Sequence, residues 1–323
     1  MFKRAFWKRK WKPVAATILL ALLLDYFLYP RFETRAPRLE ARRNAVWLHF
    51  DWARGQSKEP IRSLAARLTK NELGDAYFHV RYIGKSGRLR FRDQNAARAL
   101  NAQMKIAAPK VRRIAWLYIG NERGITGVDI SQVEIRREII REVQFLTRDC
   151  GFDGVQIDYE ICSDGDLHFL QLLREIRAAT PGKILSVATP MWLPKPLGAW
   201  GWSEKYFALV AQHCDQIAVM AYDSGLYFPR HYVYLIEQQV MRVPRAAKSA
   251  NPNCEVLLGV PTYEDGGPSH WTHAENLQMA LRGARKSWTR NPENLRCDGV
   301  ALFADYSTDN AEWAIWERNF HKK

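Results

Sequence analysis

Residues 152–160 read F-D-G-V-Q-I-D-Y-E, a run in which apolar and polar side chains alternate after Gly154. A period of two residues is typical of a β-strand, because successive side chains of a strand point to opposite faces. Gln156, Asp158 and Glu160 therefore share one face. The pattern predicts a strand that carries a column of inward-pointing polar groups and ends in two acids.

Seven other runs of this kind, rich in β-branched and aromatic residues, occur along the chain, and a longer segment with helical periodicity follows each. Alternating strands and helices indicate parallel strands with helices outside them, because a parallel connection requires a crossover. We therefore predict an α/β fold, a (β/α)8 TIM barrel preceded by an N-terminal membrane-anchor helix. An open doubly wound sheet is the alternative, but no glycine-rich phosphate loop follows the first strand. The predicted strands are 45–50, 76–82, 113–119, 153–160, 184–190, 216–222, 255–261 and 298–303.

The first thirty residues have the order of charges expected for an export signal. Six Lys or Arg residues lie between positions 3 and 12, and an apolar run at 14–24 follows them. A spanning helix requires about 20 mostly apolar residues, which 13–29 nearly supplies. We expect an uncleaved anchor that holds the barrel outside the cytoplasm, or a secreted barrel if the segment is a cleaved signal peptide. The predicted organisation is a basic N-terminus and signal-anchor helix at 1–30, a linker at 31–44 and the barrel at 45–323.

The net charge of +14 is concentrated near the N-terminus. Residues 1–43 contain eleven Lys or Arg and three acids, a net of +8, which leaves +6 for the remaining 280 residues. This distribution argues against a nucleic-acid partner. The five cysteines are widely spaced and odd in number, so they form neither a zinc pattern nor a disulfide framework. The acids at 158–166 have the spacing of neither an EF-hand nor a zinc site, and we predict no metal and no cofactor.

Asp158 and Glu160 end the fourth predicted strand, where the active sites of barrels lie. Two carboxyl groups this close discourage simultaneous ionisation, so one of them holds a proton near neutral pH. That is the property of a general acid which protonates a glycosidic oxygen. The alternative is that these acids cap helices or pair with Arg at the barrel rim.

The same residues resemble a known family. Residues 153–160 are similar to the D-G-x-D-x-D-x-E signature of glycoside hydrolase family 18, the chitinases and related endo-N-acetylglucosaminidases. Residues 220–223 (M-A-Y-D) match the M-x-Y-D of its sixth strand, and 259–263 (G-V-P-T-Y) resemble its seventh. The order and spacing of the three motifs agree with the family.

The resemblance implies a retaining mechanism in which the N-acetyl group of the substrate is the nucleophile. Glu160 would then protonate the leaving oxygen and later activate water. Asp158 would hold the acetamido N–H, Tyr222 would contact the acetamido oxygen, and Asp223 would help to close the site. Asp153 is the last member of this catalytic set. Its role would be structural, because it lies on the opposite face of the strand from Asp158 and Glu160.

Three departures from the family are relevant to activity and to the shape of the site. Gln156 replaces the middle acid of the signature, which weakens the charge sharing available to Asp158. Phe303 stands where the family has a Trp on the eighth strand, and the third strand offers Gly120 and Asn121 where a double glycine is common. The predicted substrate-binding residues are Gln156, Met220, Trp192, Tyr263 and Phe303.

The expected activity is hydrolysis of β-linked N-acetylglucosamine-containing glycans, such as chitin oligomers, peptidoglycan or glycoprotein glycans. The presence of Glu160 favours this hypothesis. Gln156 marks the alternative, a carbohydrate-binding barrel of the same family with weak or no turnover. The expected partners are the glycan and, through the N-terminal helix, a membrane.

Overall fold

The computed structural model describes residues 3–29, 38–121, 123–194, 201–288 and 290–320. Eight parallel strands form a closed barrel in sequential order, and β1 closes it by pairing with β8. The predicted (β/α)8 barrel is therefore confirmed, and the open doubly wound sheet is excluded. The strands are β1 (Asn44–Leu48), β2 (Leu73–Tyr82), β3 (Arg112–Gly120), β4 (Gly154–Glu160), β5 (Ile184–Thr189), β6 (Gln216–Met220), β7 (Glu255–Pro261) and β8 (Gly299–Phe303).

Helices lie between successive strands and after the last one. We call the carboxyl ends of the strands the mouth of the barrel and the amino ends its base. A π-helical turn, Phe145–Asp149, extends the fourth helix. The helices are α1 (Lys3–Leu28), α2 (Ile61–Lys70), α3 (Gln94–Ala107), α4 (Val133–Gln144), α5 (Leu167–Ala179), α6 (Glu204–Ala211), α7 (Pro229–Ala250), α8 (Leu277–Trp288) and α9 (Asn310–Phe320).

The predicted strand bounds agree with the structure to within one residue except at three strands. β1 ends at Leu48 instead of residue 50, because its ladder with β2 stops there. β2 begins at Leu73, three residues before the prediction, and pairs with β1 from that residue onward. β6 ends at Met220 instead of residue 222, since the ladder with β7 stops at Met220 and the chain turns at Asp223, whose φ is +57°. Tyr222 therefore lies on the loop that leaves the strand.

The larger core lies between the outer face of the barrel and the helices. In α5, Asp166 caps the first turn by accepting the backbone N–H groups of His168 and Phe169. Phe169 and Leu172 follow at helical spacing and are fully buried against the strands. Burial of such a side chain stabilises the fold by about 1.5–3 kcal/mol, which is why an amphipathic helix follows each strand.

A cluster of ion pairs closes the base. Arg112 on β3 donates to Asp75 on β2 at 2.6 Å and also binds Glu255 on β7. The side-chain amide of Gln216 on β6 donates to Asp75 at 2.7 Å and to Glu255 at 3.0 Å. The base is therefore polar and fully paired within this cluster.

A column of neutral hydrogen bonds continues from Gln216 toward the mouth. Tyr77 and Ser186 donate their hydroxyls to Gln216 Oε1 at 2.6 and 2.9 Å. Gln156 donates to Ser186 at 3.1 Å and accepts from Trp47 Nε1 at 2.7 Å. A polar column, packed against a small apolar cluster that includes Ile114 and Leu257, thus fills the interior of the barrel below the mouth.

The chain before β1 divides into two described parts. The backbone N–H of Leu39 donates to Asn319, and those of Arg42 and Arg43 donate to Asp298. Residues 38–43, predicted as linker, therefore dock on the base of the barrel, whereas 30–37 lie outside the described residues. Residues 11–28 form one helix that is long and apolar enough to cross a membrane, a test that a signal sequence also passes.

We expect Gly154→Ala to lower the free energy of unfolding, because a Cβ at this position would lie 2.2 Å from the carbonyl oxygen of Ile184 on β5. Overpacking of this kind costs about 1–3 kcal/mol. Gly267→Ala is the matched control, since a Cβ there has no atom within 4 Å. Thermal unfolding followed by circular dichroism compares the two variants. Equal midpoints would show that β4 and β5 are not in the close contact described.

Candidate active site

The predicted acids lie at the mouth, between β3 and the loop after β6. The ladder between β3 and β4 pairs Tyr118 with Asp158 and Gly120 with Glu160. Asp158 lies directly above Gln156 on the inner face of β4, and Glu160 is the last residue of the strand. The strand alternation thus brings both carboxyl groups to the inside of the barrel.

Asp158 is buried, and its two oxygens have different surroundings. Oδ2 accepts a hydrogen bond of 2.8 Å from Trp116 Nε1. Oδ1 is also buried but has no hydrogen-bond partner among the described residues. Burial, and then the nearby charge of Glu160, raise the pKa of Asp158 well above its usual range, while the bond from Trp116 partly opposes the shift.

Glu160 is half-buried at the strand end, and its pKa is also raised. Burial is the larger cause, and the charge of Asp223 is the second. Its backbone carbonyl accepts from Asn121 N–H at 2.7 Å, which fixes the end of β4. Gly124 allows this contact, because a Cβ there would lie 2.4 Å from the same carbonyl oxygen.

An aromatic floor lies beside the two acids. Phe303 at the end of β8 stacks on Tyr222, with ring centroids 5.0 Å apart, and meets Trp47 and Trp116 edge-on. Tyr222 is buried, and burial raises the pKa of its hydroxyl well above the usual range, so it remains a hydrogen-bond donor. Its hydroxyl makes no hydrogen bond within the described parts of the chain. Met220, two residues before Tyr222 in the chain, is half-buried.

Asp223 and Tyr263 form a pair on the opposite side of the floor. The Tyr263 hydroxyl donates to Asp223 Oδ1 at 2.6 Å, and the Tyr263 ring stacks on His270 at 4.3 Å. His270 lies 3.6 Å from Asp223 and 3.5 Å from the buried Glu275. These contacts hold Asp223 where its charge raises the pKa of Glu160.

Asp153 does not belong to this site. It precedes β4 at the base, where it accepts the backbone N–H and the guanidinium of Arg113 at 2.8 Å. Its inclusion in the catalytic set is therefore wrong, because the whole strand separates it from Glu160. The structural role that its parity predicted agrees with the ion pair.

One predicted substrate contact, Gln156, is also wrong, and the contact of Trp192 stays a prediction. Gln156 is fully buried below Asp158, and both ends of its amide are bonded inside the column, so it cannot reach a substrate. Trp192 packs against α7, where the Arg242 guanidinium lies 4.3 Å from its ring centroid and Gln239 bonds its backbone. The alternation of side chains predicted which face of β4 carries Gln156 but not how deep in the barrel this residue lies. The position of Trp192 after a strand did not predict the direction in which its ring points.

The sequence interpretation did not include Trp116 and Tyr118 on β3. Trp116 binds Asp158 directly, and the pKa of Tyr118 is raised by burial and by the charges of Glu160 and Asp158. Both lie on the inner face of β3, in the alternation with Gly120. The signal that identifies them is that alternation combined with the register of β3 against β4.

No group of three or more metal-ligating side chains occurs within the described ranges. The five cysteines are buried free thiols, as expected for core residues. Carboxyl, hydroxyl and indole groups line this site.

Comparisons with known proteins agree with the geometry. Residues 59–319 match the family model described as glycosyl hydrolases family 18. Among curated proteins, none matches this chain. The spore cortex-lytic enzyme SleL of Bacillus cereus is 15% identical, with a TM-score of 0.57 over 90% of this chain and 76% of its own. A chitinase of Chromobacterium violaceum is 13% identical, with a TM-score of 0.56 over 86% of this chain and 99% of its own.

We expect Asp158→Asn to raise the Tm at pH 7–8. An acid whose pKa is raised in the folded state lowers stability as pH rises through that pKa, and asparagine removes this loss. The gain should shrink toward pH 4, where aspartate is increasingly protonated in the unfolded chain as well. Thermal melts across this pH range test the expectation.

Asp153→Asn is the matched control, and it should lower the Tm at pH 7 because it removes the ion pair with Arg113. A fall in Tm for both variants at pH 7 would contradict the raised pKa of Asp158.

Proposed function

This chain belongs to glycosyl hydrolase family 18, and we propose that it hydrolyses β-linked N-acetylglucosamine-containing glycans with Glu160 as general acid and base. The names of the similar structures, chitinases and a spore cortex-lytic enzyme, support a substrate of this class. Cleavage proceeds with retention of configuration and uses the acetamido group of the substrate as the nucleophile.

The observation that carries the proposal is the free oxygen of Asp158. Oδ1 is buried and unpartnered, whereas Oδ2 is held by Trp116. A buried acceptor without a partner costs about 1–3 kcal/mol, so a ligand that donates a hydrogen bond there binds favourably. The N–H of an acetamido group is such a donor, and Asp158 would orient it beside Glu160.

The reaction then follows from the positions of the proton donors. Protonated Glu160 gives its proton to the glycosidic oxygen, and the bond from that oxygen to C1 breaks. The acetamido carbonyl oxygen bonds to C1, which forms an oxazolinium ion whose N–H donates to Asp158. Water activated by the Glu160 carboxylate next attacks C1, the bond to the acetamido oxygen breaks, and the proton returns to Glu160.

Tyr222 and Asp223 support the two acids. The Tyr222 hydroxyl, a donor at all relevant pH values, would bind the acetamido oxygen as it approaches C1. Asp223 favours the protonated form of Glu160 in the first step, because its own charge raises the pKa of Glu160. Phe303 and Tyr263 would line the sugar ring that lies over them.

A second candidate function is glycan binding with little turnover. Gln156 favours this function, because its amide is hydrogen-bonded to both Trp47 and Ser186 and carries no charge. Asp158 therefore has no acid below it with which to share a proton, and the only other carboxyl group on the inner face of β4 is that of Glu160.

We expect Glu160→Gln to lower kcat on fluorogenic chito-oligosaccharides by about 100- to 10,000-fold, the usual contribution of a general acid. The Km should change much less, because glutamine has the same shape. Glu264→Gln is the matched control, since Glu264 is an exposed acid on the loop after β7.

Equal loss in the two variants would contradict the assignment of Glu160. Glycan binding without turnover in the wild type, with turnover gained in Gln156→Asp, would establish the binding protein instead.

We further propose that α1 anchors the barrel to a membrane with its mouth toward the bilayer. The ring of Tyr26 stacks on Tyr227, 5.7 Å between centroids, and lies 5.4 Å from His273. Tyr227 and His273 are on the loops after β6 and β7, at the mouth. One turn farther along, the Tyr29 carbonyl accepts from Arg282 of α8 at 2.6 Å.

These contacts give α1 a direction. Tyr29, which follows its last turn, contacts the middle of α8, and the helix therefore leaves the barrel from the mouth end, with residues 11–24 exposed. Large apolar side chains are also exposed on loops at this end, among them Ile125, Tyr227 and Trp271. A glycan near the membrane surface would be within reach of a site in this orientation.

We expect a spin label at Ile125→Cys to collide more with oxygen than with an aqueous nickel chelate when the full chain is in lipid vesicles. Ile125 is 87% exposed on the loop after β3, at the mouth. Ile106→Cys is the matched control, because Ile106 is 84% exposed near the end of α3, at the base, and should prefer the nickel chelate. Equal exposure of both labels to the nickel chelate would contradict this orientation. The unsubstituted chain, whose five cysteines are buried, gives the background labelling.

A further inference from the structure

Arg81 is a half-buried cation near the end of β2 with no acidic partner among the described residues. Its guanidinium lies 4.0 Å from the ring centroid of Phe50 and 5.0 Å from that of Phe91. Its Nε is completely buried and has no hydrogen bond within the described chain. The two rings hold the guanidinium in place but leave its Nε–H donor unsatisfied.

His79, two residues earlier on β2, repeats this feature. Its Nε2 is buried and also lacks a partner in the described ranges. Its ring stacks on Trp116 at a centroid distance of 4.2 Å. Burial, and then the charge of Arg81, lower the pKa of His79 to about 4, so its ring is neutral at neutral pH and Arg81 supplies the positive charge.

These two side chains lie beside the catalytic acids. His79 contacts Trp116, and Trp116 donates to Asp158, so one indole separates His79 from the acid. Arg81 lies two residues after His79 on β2, on the rim between β1 and β2. A neighbouring sugar that extended along the mouth from Asp158 toward β1 would lie over Arg81.

The surrounding charges leave room for an anion. His49, which follows β1, lies close enough to His79 for their charges to interact, and Asp51 lies 3.2 Å from His49. The guanidinium of Arg54 lies 5.2 Å from the ring centroid of Phe91 and adds a second positive charge to the rim. Arg81, Arg54 and Asp51 together therefore carry a net positive charge.

An unpaired guanidinium in a partly buried position is costly, and a carboxylate is the group that matches its planar donors. We propose that Arg81 and His79 form a subsite for a carboxylate carried by the sugar adjacent to the one that is cleaved. This inference rests on the proposed function for the position of the reacting sugar. The substrate class is then an acidic N-acetylated glycan, as in an alternating strand in which every second sugar bears a lactyl ether.

The chemistry of that glycan sets an order of reactions. A lactyl carboxyl group that is joined to a peptide is an amide and carries no charge. A subsite built for a carboxylate therefore selects strands from which the peptide has been removed, and an amide-hydrolysing reaction has to precede this one.

The test compares two ligands that differ only in charge. A tetrasaccharide of alternating N-acetylglucosamine and N-acetylmuramic acid is titrated into the full-length Glu160→Gln chain by calorimetry, and so is the same tetrasaccharide with its carboxylates converted to primary amides. Glu160→Gln prevents cleavage without changing β2. We expect the carboxylate form to bind about 10- to 100-fold more tightly.

Arg81→Gln in the same background should reduce this preference to about onefold, and Arg81→Lys should restore part of it. Arg90→Gln is the matched control, because Arg90 is an exposed arginine over Tyr82 on the same rim and should leave the preference unchanged. Equal affinity for the two ligands in the parent would overturn the proposal and would mean that the buried donors bind water only. Equal weakening of both ligands by Arg81→Gln would also overturn it, because it would show a purely structural role.

The proposed function is tested separately by turnover of neutral chito-oligosaccharides. Its failure would leave the binding preference measurable, and a missing preference would leave turnover intact.

Discussion

The hydrogen bond from Trp116 to Asp158, inside a closed and packed barrel, is the contact on which the site depends. It satisfies one oxygen of a carboxyl group that is otherwise desolvated, and it leaves the other oxygen free. Because Asp158 is buried, its pKa is raised, and the charge of Glu160 acts on Asp158, and that of Asp223 on Glu160, through a medium of low polarity. The chemistry of the mouth is therefore a consequence of burial.

The column below Asp158 makes that burial possible. Tyr77, Ser186, Gln216 and Gln156 satisfy one another, so no water is needed beneath the acid. A glutamine in this column keeps it neutral, which limits the electrostatic cost to Asp158 and Glu160 themselves. The barrel thus tolerates two carboxyl groups that lower its stability at neutral pH, a compromise that is common at functional sites.

Much of the fold follows from local periodicity, and much of the site does not. Alternation in 152–160 identifies β4 and its polar face, and the recurrence of strands and helices identifies the barrel. Trp116 becomes visible only through the register of β3 against β4, which no local pattern determines. Gln156 shows that parity gives a face but not a depth. Trp192 shows that a side chain on a loop takes its direction from distant contacts, here with α7.

The most direct test of the account is whether the acetamido group of the substrate takes part in the reaction. Proton NMR of fresh hydrolysis products would compare a chito-oligosaccharide with its analogue that lacks the acetyl group on the reacting sugar. Participation of the acetamido group predicts that the acetylated substrate yields the β-anomer first and that the analogue is not cleaved. Cleavage of both at similar rates, or an initial α-anomer, would contradict the role assigned to Asp158 and Glu160.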